Sequence, residues 1–568
     1  MPSSSKSQVS LQKIVARILI ILAALYLLLL ISDAEQPENF AGNKEPFIWN
    51  RDEYWNALET RFQAARDSGC VQLAPRIEKE LFLSHQLLAQ LVSDTLAPDH
   101  SAFDEIEKIF FELGPNIAAC PRKLPEYIQL QTRLRKLVKE QSQHWDMNSP
   151  SARNRIYRLL YGSRAALEEV MLQVPTDSLP ALTRGDDEPS QTPSTKILGV
   201  TIHSGDILVS RGGAPTSALI ARGNDYPGNF SHVALAHVDE KTSVASIIEA
   251  HIERGVAVST LEEYLRDKKL RVMILRPCAD LPGLVADPTL PHQAATYALQ
   301  QAREQHIPYD FEMDYHDPAK LFCSEVASFA YRKFGVNLWM GISHISSPGV
   351  TAWLAAFGAK HFETQEPADL EYDPQLRVVA EWRDPETLYQ DHVDNAVIDA
   401  MLEGAEQGER LGYAWYLLPM ARVMKVYSMI RNAFGDIGPV PEGMNASAAL
   451  RHQQFNQTHH AIKAGTLALA ATFQNEHGYR PPYWELFRMA RVMKVYSIMR
   501  NAFDGIGPVP EGMNATAALR HKQFNQTHLA IKEKTLALAG TFQNEHGYRP
   551  PYWELFRMAR EAKQNLSD

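Results

Sequence analysis

A histidine opening an apolar run, Phe230-Ser231-His232-Val233-Ala234-Leu235, precedes a cysteine set just ahead of a helical pattern, Leu321-Phe322-Cys323-Ser324-Glu325-Val326. Over 324–334 the residues Val326, Ala327, Phe329 and Ala330 recur at helical spacing. A thiol at a helix N-terminus feels the positive end of the macrodipole, which favours thiolate over thiol. A strand-borne histidine and a helix-capping cysteine require a fold in which a strand and a helix start can meet. That excludes a purely helical chain, although much of the sequence reads as helix.

Other pieces stand in order around the pair. Gly205-Asp206-Ile207-Leu208-Val209 opens a strand before the histidine. Ile247-Ile248-Glu249-Ala250, Arg254-Gly255-Val256 and Leu270-Arg271-Val272-Met273-Ile274-Leu275-Arg276 follow it, and Pro308-Tyr309-Asp310 comes before the cysteine. In this order, 196–365 resembles the permuted branch of the papain-like cysteine hydrolases, the NlpC-type enzymes of the YiiX/YebB-like group. The resemblance implies Cys323 as nucleophile, His232 as its base, Glu249 as the acceptor orienting the imidazole, and Tyr309 as a residue lining the substrate site. His251 and Asp239 stay open as alternatives to Glu249. Glu325 reads as making local contacts, and the long Gly/Asn/Pro-rich loop 211–229 as either a substrate wall or a surface excursion.

The chemistry those residue types allow is thioester formation at an amide or ester carbonyl, with the histidine moving the proton. No P-loop, HExxH or EF-hand pattern occurs, and no metal or organic cofactor is implied. His452, His459, His460, His521 and His528 lack supporting ligands and read as solvated helix faces.

At 568 residues the chain exceeds a single core. The expected class is multidomain α+β: a permuted papain-like (NlpC-type) catalytic domain, flanked by an N-terminal helical bundle and a C-terminal helical tandem repeat. The segments read as 1–34 membrane anchor or signal peptide; 45–174 helical, with helices over 52–65, 74–93, 102–113, 124–143 and 151–174; and 175–195 linker. Then follow 196–365 catalytic, 366–421 helical connector, and the repeat copies 422–490 and 491–559. Ten of the 69 aligned repeat positions differ, leaving 59 identical, which reads as a recent duplication. The helical bundle reads as a spacer, with a partner-binding surface or substrate cap as alternatives.

Lys6, Lys13 and Arg17 precede the apolar run 18–31, and Asp33 and Glu35 follow it. Positive charge before and acid after keeps the N-terminus cytoplasmic and sends the bulk across the membrane. The expectation is a single-pass anchor with the bulk facing the periplasm or exterior; cleavage at Ser32-Asp33-Ala34 would release it instead. A net charge of -10 without a basic stripe argues against nucleic acid. The four cysteines match no zinc spacing; Cys70 and Cys120 form either a disulfide or two buried thiols, and Cys278 reads as structural.

Three functions compete on this basis. The first is an exported amidase acting on peptides, plausibly of the cell wall. The second is a lipid ester or amide hydrolase, or acyltransferase, of the same fold. The third is a catalytically silent scaffold with protein partners on its helical domains. A polar open groove at Cys323 favours the first, an apolar channel the second, and a thiol that is buried or far from any histidine the third.

Overall fold

The computed structural model describes residues 45–49, 51–92, 95–175, 179–434 and 436–503, and single residues outside these spans. Most of the sequence-based anchor 1–34, apart from residues 26 and 29–31, and most of the second repeat copy beyond 503 lie outside the described residues. Contacts divide the chain into two units, Met1–Ala490 and Arg491–Asp568.

Five helices come first: α1 (Arg51–Leu91), α2 (Ser101–Ala119), α3 (Leu124–Ser142), α4 (Pro150–Tyr157) and α5 (Ser163–Leu172). The two helices expected over 52–93 run together across a kink at Gly69, whose φ of 72° only glycine adopts freely, with Pro75 just beyond. The break expected at Gly114-Pro115 is absent, because α2 continues through Pro115 to Ala119. Cys70 and Cys120 are joined by a disulfide between α1 and the end of α2.

A seven-stranded antiparallel sheet forms the centre. Its strands are β1 (Leu182–Arg184), β4 (Ile207–Gly212), β5 (His232–Val238), β6 (Ala245–His251), β7 (Gly255–Thr260), β8 (Lys269–Pro277) and β11 (Leu376–Trp382), in the order β1-β11-β8-β4-β5-β6-β7. Two-stranded pairs are made by β2 (Ser194–Ile197) with β3 (Val200–His203), and by β9 (Ser343–His344) with β10 (Glu363–Thr364). Alternation sorts the sheet into two faces. Ile207, Val209, Val233, Leu235 and Ile248 join one core with residues of helices Leu290–Glu304 and Glu325–Arg332; Leu208, Ala234, Ala236 and Ile247 join another.

Two segment boundaries need correction. The stretch 175–195, expected as a linker, contributes β1, which pairs with β11 from Leu182↔Trp382 to Arg184↔Ala380. The connector 366–421, expected to be helical, contains β11, so the sheet extends beyond 365. The remaining helices are α6 (Pro215–Arg222), α7 (Leu261–Arg266), α8 (Leu290–Glu304), α9 (Glu325–Arg332), α10 (Pro348–Phe357), α11 (Pro385–Glu406), α12 (Leu418–Ala433) and α13 (Ala446–His477), with a short turn at Pro282–Ala286. The helix Tyr483–Phe503 follows α13.

The helical region is fused to the sheet rather than spaced from it. Glu168 on α5 accepts from Arg271 of β8 at 2.6 and 2.9 Å and from Arg383 at 2.9 Å. Arg135 of α3 pairs with Glu381 of β11 at 3.5 Å, and Arg153 of α4 with Asp369 at 2.9 Å. Arg164 pairs with Glu371. All of these side chains are buried, so each charge depends on its partner across the interface.

Candidate active site

The register of β5 and β6 builds the first part of the site. Ala234 stands opposite Glu249, and His232 lies two residues earlier on the same sheet face, within diagonal reach. The His232 Nε2 meets Glu249 Oε2 at 2.8 Å. Ser259 of β7 donates to Glu249 Oε1 at 3.0 Å, and His251 Nε2 stands 3.3 Å from that oxygen. The alternative orienter Asp239 is instead engaged in the β5–β6 turn, accepting from Lys241 and Thr242. Of the residues weighed for orienting the imidazole, Glu249 is the one bonded to it.

Burial alone would raise the Glu249 carboxyl, but the hydrogen bonds from His232 and His251 outweigh it and hold it well below the usual carboxylate range. His232 moves the opposite way to a typical ion-paired histidine. Burial lowers it below its ordinary value, and Glu249 offsets only part of that shift. The resting imidazole is therefore neutral at pH 7, with Glu249 on Nε2 leaving Nδ1 available.

Cys323 sits in the turn leading into α9, which packs on the sheet through Val326, Ala327 and Ala330. Glu325 accepts from the Phe322 N–H at 2.9 Å, which pins this turn from within; burial pushes its carboxyl up to about 9. The Cys323 sulfur lies 3.8 Å from the carbonyl oxygen of Ser231, the residue immediately before His232. The thiolate expectation from the helix N-terminus is overturned. Burial pushes the Cys323 thiol up to about 11, against smaller opposing effects from the Val233 N–H and Ser324. α9 has only eight residues, and a helix terminus contributes about 0.3–1 kcal/mol at an exposed site; desolvation of the sulfur exceeds that.

Cys323 is 5% exposed, as the scaffold reading expects, but it is buried at the end of a pocket. The pocket encloses about 840 Å³, counting space open to solvent. Its walls come from Thr216, Leu219 and Ile220 of α6, Ile252, Tyr309, Asp310, Phe311 and Met313, Leu354 and Phe357 of α10, Gln365 and Glu366, and Met444 and His452. Tyr309 thus stands beside the thiol, while His232 and Glu249 lie behind it, outside the lining. A larger cavity of about 1280 Å³, again counting open space, is walled by Trp49, Trp55, Tyr157 and Tyr483 and contains neither Cys323 nor His232.

The loop 211–229 folds into α6 and, of its two sequence readings, is a pocket wall. Other lining residues were missed from sequence. His452 was read as a solvated helix face, yet it lines the pocket and its Nε2 lies 2.5 Å from Thr216 Oγ1. His459 was read the same way and is 1% exposed; burial lowers it to about 3. Only His460 of the described trio is exposed; His521 and His528 lie outside the described residues. The common error was treating α13 as free, when it packs on α6, α10 and α11. Burial of Glu366 in the pocket keeps its carboxyl well above the usual range.

Among the described residues the Cys323 sulfur meets the carbonyl of Ser231, one residue before the histidine that Glu249 holds, and no hydrogen bond joins it to the His232 imidazole itself. Residues 201–380 match the family of permuted papain-like amidase enzymes, YaeF/YiiX, the C92 family. This segment is a permuted papain-like cysteine amidase domain. The match spans β3 to β11 and takes in Cys323, His232, Glu249 and Tyr309; the helical regions on either side lie outside it. No curated protein and no solved structure matches the chain.

Proposed function

We propose that this cysteine amidase cleaves amides or esters whose acyl part is a long apolar chain, with Cys323 as nucleophile, His232 as base and Glu249 as orienter. The observation that carries this reading is the pocket. Leu219, Ile220, Ile252, Phe311, Met313, Phe322, Leu354, Phe357 and Met444 face the space in front of the sulfur. Ionisable lining beyond the thiol and Tyr309 is confined to Asp310, Glu366 and His452. A cell-wall peptide carries charged and polar groups that such walls would desolvate without compensation.

In this reading the thiol and imidazole rest neutral. As the substrate carbonyl arrives, the Cys323 proton passes to His232 while sulfur attacks the carbonyl carbon. His232 returns that proton to the leaving amine or alcohol, and the carbon–nitrogen or carbon–oxygen bond breaks, leaving a thioester. Water then gives a proton to His232 and its oxygen to the acyl carbon, releasing the acid; the proton returns to Cys323. Glu249 keeps the imidazole in one orientation and stabilises its cationic form.

The domain works outside the cytoplasm in this proposal, attached through the apolar run 18–31. The Cys70–Cys120 disulfide supports an oxidising compartment.

A chain-length series of acyl amides and acyl esters tests the substrate class. Each added methylene buried in the pocket contributes about 0.8 kcal/mol, roughly a fourfold gain in kcat/KM. A steep rise from two to about ten carbons is the expected result. A flat series, or faster cleavage of polar peptides, sinks the acyl reading and returns the site to peptides.

A further inference from the structure

Eleven of the 24 exposed large apolar or aromatic side chains among the described residues fall between 415 and 437. They belong to α12 and its flanks. Met420, Val423, Val426, Tyr427, Ile430 and Phe434 form one outward stripe, with Phe434 85% exposed. The opposite stripe, Leu418, Ala421, Met424 and Ser428, packs inward against α13 and its approach. A helix apolar on both sides needs a second apolar neighbour.

Two further observations say what that neighbour is. Arg422 on α12 donates to the backbone carbonyls of Leu29 at 2.9 Å and Ile31 at 2.6 Å, so the end of the N-terminal apolar run is held at this helix. α12 also carries Arg422, Lys425 and Arg431 and no acidic residue, although Lys425 donates to the carbonyls of Pro441 and Glu442 at 2.9 and 2.6 Å and Arg431 pairs with Asp436 at 2.9 Å; Trp415 and Tyr416 are exposed just before the helix. Basic residues, an outward apolar stripe and aromatics at the edge are the composition of a helix lying in a lipid interface.

We propose that α12 lies in the headgroup layer of a bilayer with this stripe turned into the acyl region, and that the Cys323 pocket receives its acyl substrate from that bilayer. Met424, on the inward side of α12, packs with Phe311 and Met444. Both of those also wall the pocket, so one layer of side chains separates the lipid-facing helix from the substrate space. The second half of the proposal rests on the acyl-substrate reading; the first half does not.

The test uses the full chain on vesicles of phosphatidylcholine and phosphatidylglycerol. A polarity-sensitive fluorophore placed at Val426→Cys is expected to shift to the blue on vesicles and to be quenched by acyl-chain-borne quenchers. The same label at Val244→Cys, exposed in the β5–β6 turn, is expected to remain in water. A label at 426 that stays in water overturns the proposal. So does one already shielded before vesicles are added and blind to the lipid quencher, which would show protein covering the stripe, either the second repeat copy or another copy of the chain.

A second arm reads the route to the thiol, using a water-soluble chloroacetamide and one carrying a palmitoyl chain in the vesicle. In the double variant Val423→Asp, Ile430→Asp, Cys323 should react with the vesicle-borne reagent about tenfold more slowly, and with the soluble one at the wild-type rate. Equal rates with both reagents in both proteins overturn the route. Absence of reaction in the wild type with either reagent counts against the nucleophile, while the label result still decides the lipid contact.

Discussion

His232 and Glu249 are diagonal neighbours on one face of adjacent strands, joined at 2.8 Å through Nε2. The carboxylate's other oxygen accepts from Ser259 at 3.0 Å and stands 3.3 Å from His251 Nε2, so both of its oxygens are engaged. Replacing it tests orientation separately from the proton-transfer group. Glu249→Gln keeps the size but loses the charge that stabilises the imidazolium. We expect kcat to fall by about 10²-fold or more, with KM little changed; steady-state kinetics on an acyl amide checks this. An unchanged kcat would remove Glu249 from the mechanism.

The unliganded thiol should behave as a buried group. With the Cys323 thiol raised to about 11, thiolate is the minor form at every lower pH, and alkylation by a small reagent should climb continuously from pH 6 to 10. A free thiol with a pKa of about 8.5 would level off within that range. His232→Ala should leave this profile in place, because His232 rests neutral. A plateau below pH 8 that disappears in His232→Ala would show a resting ion pair instead.

Glu168 is the shared partner of Arg271 and Arg383 between the helical region and the sheet. Burial would raise its carboxyl, but the two arginines hold it well below the usual range. Glu168→Leu leaves two buried guanidiniums short of a counter-charge and should cost about 3–5 kcal/mol. Denaturant unfolding monitored by tryptophan fluorescence measures it. A loss under about 1 kcal/mol would mean that the helical region is only loosely attached.

Glu325 carries a pH signature of its own. Its folded carboxyl sits near 9, above the ordinary value of 4.5, so the folded state holds a proton that the unfolded state has lost. Its contribution to stability is complete below about 4.5 and disappears as pH rises through 9. Glu325→Gln keeps an acceptor for the Phe322 N–H and cannot ionise. The variant should therefore be more stable than the wild type at pH 8 and comparable at pH 4, as thermal unfolding at the two values would show.

Much of the site could be read from the chain because it is local or periodic. The β-branched run after His232, the acid closing β6 and the apolar spacing after Cys323 each carry their own signal. What escaped depends on distant partners. β11 was hidden because Arg377, Glu381 and the following Arg383 look solvent-facing, yet all three are buried, and Glu381 and Arg383 are matched by charges on other elements. α13 looked solvated because His452 and His459 are polar, and only packing against α6 and α11 reveals their positions. The direction of the Cys323 shift was missed for a related reason. A helix N-terminus is visible in sequence, whereas the apolar pocket that outweighs it is assembled from five separate stretches of chain.

In the proposed function Cys323 carries the acyl group while His232 moves the proton. Intact-protein and peptide mass spectrometry after a brief exposure to a long-chain acyl ester reads that step. An acyl mass increment is expected on the peptide containing Cys323, lost in Cys323→Ser and much reduced in His232→Ala. An increment on Cys278, or one on Cys323 that forms equally fast without His232, would contradict it.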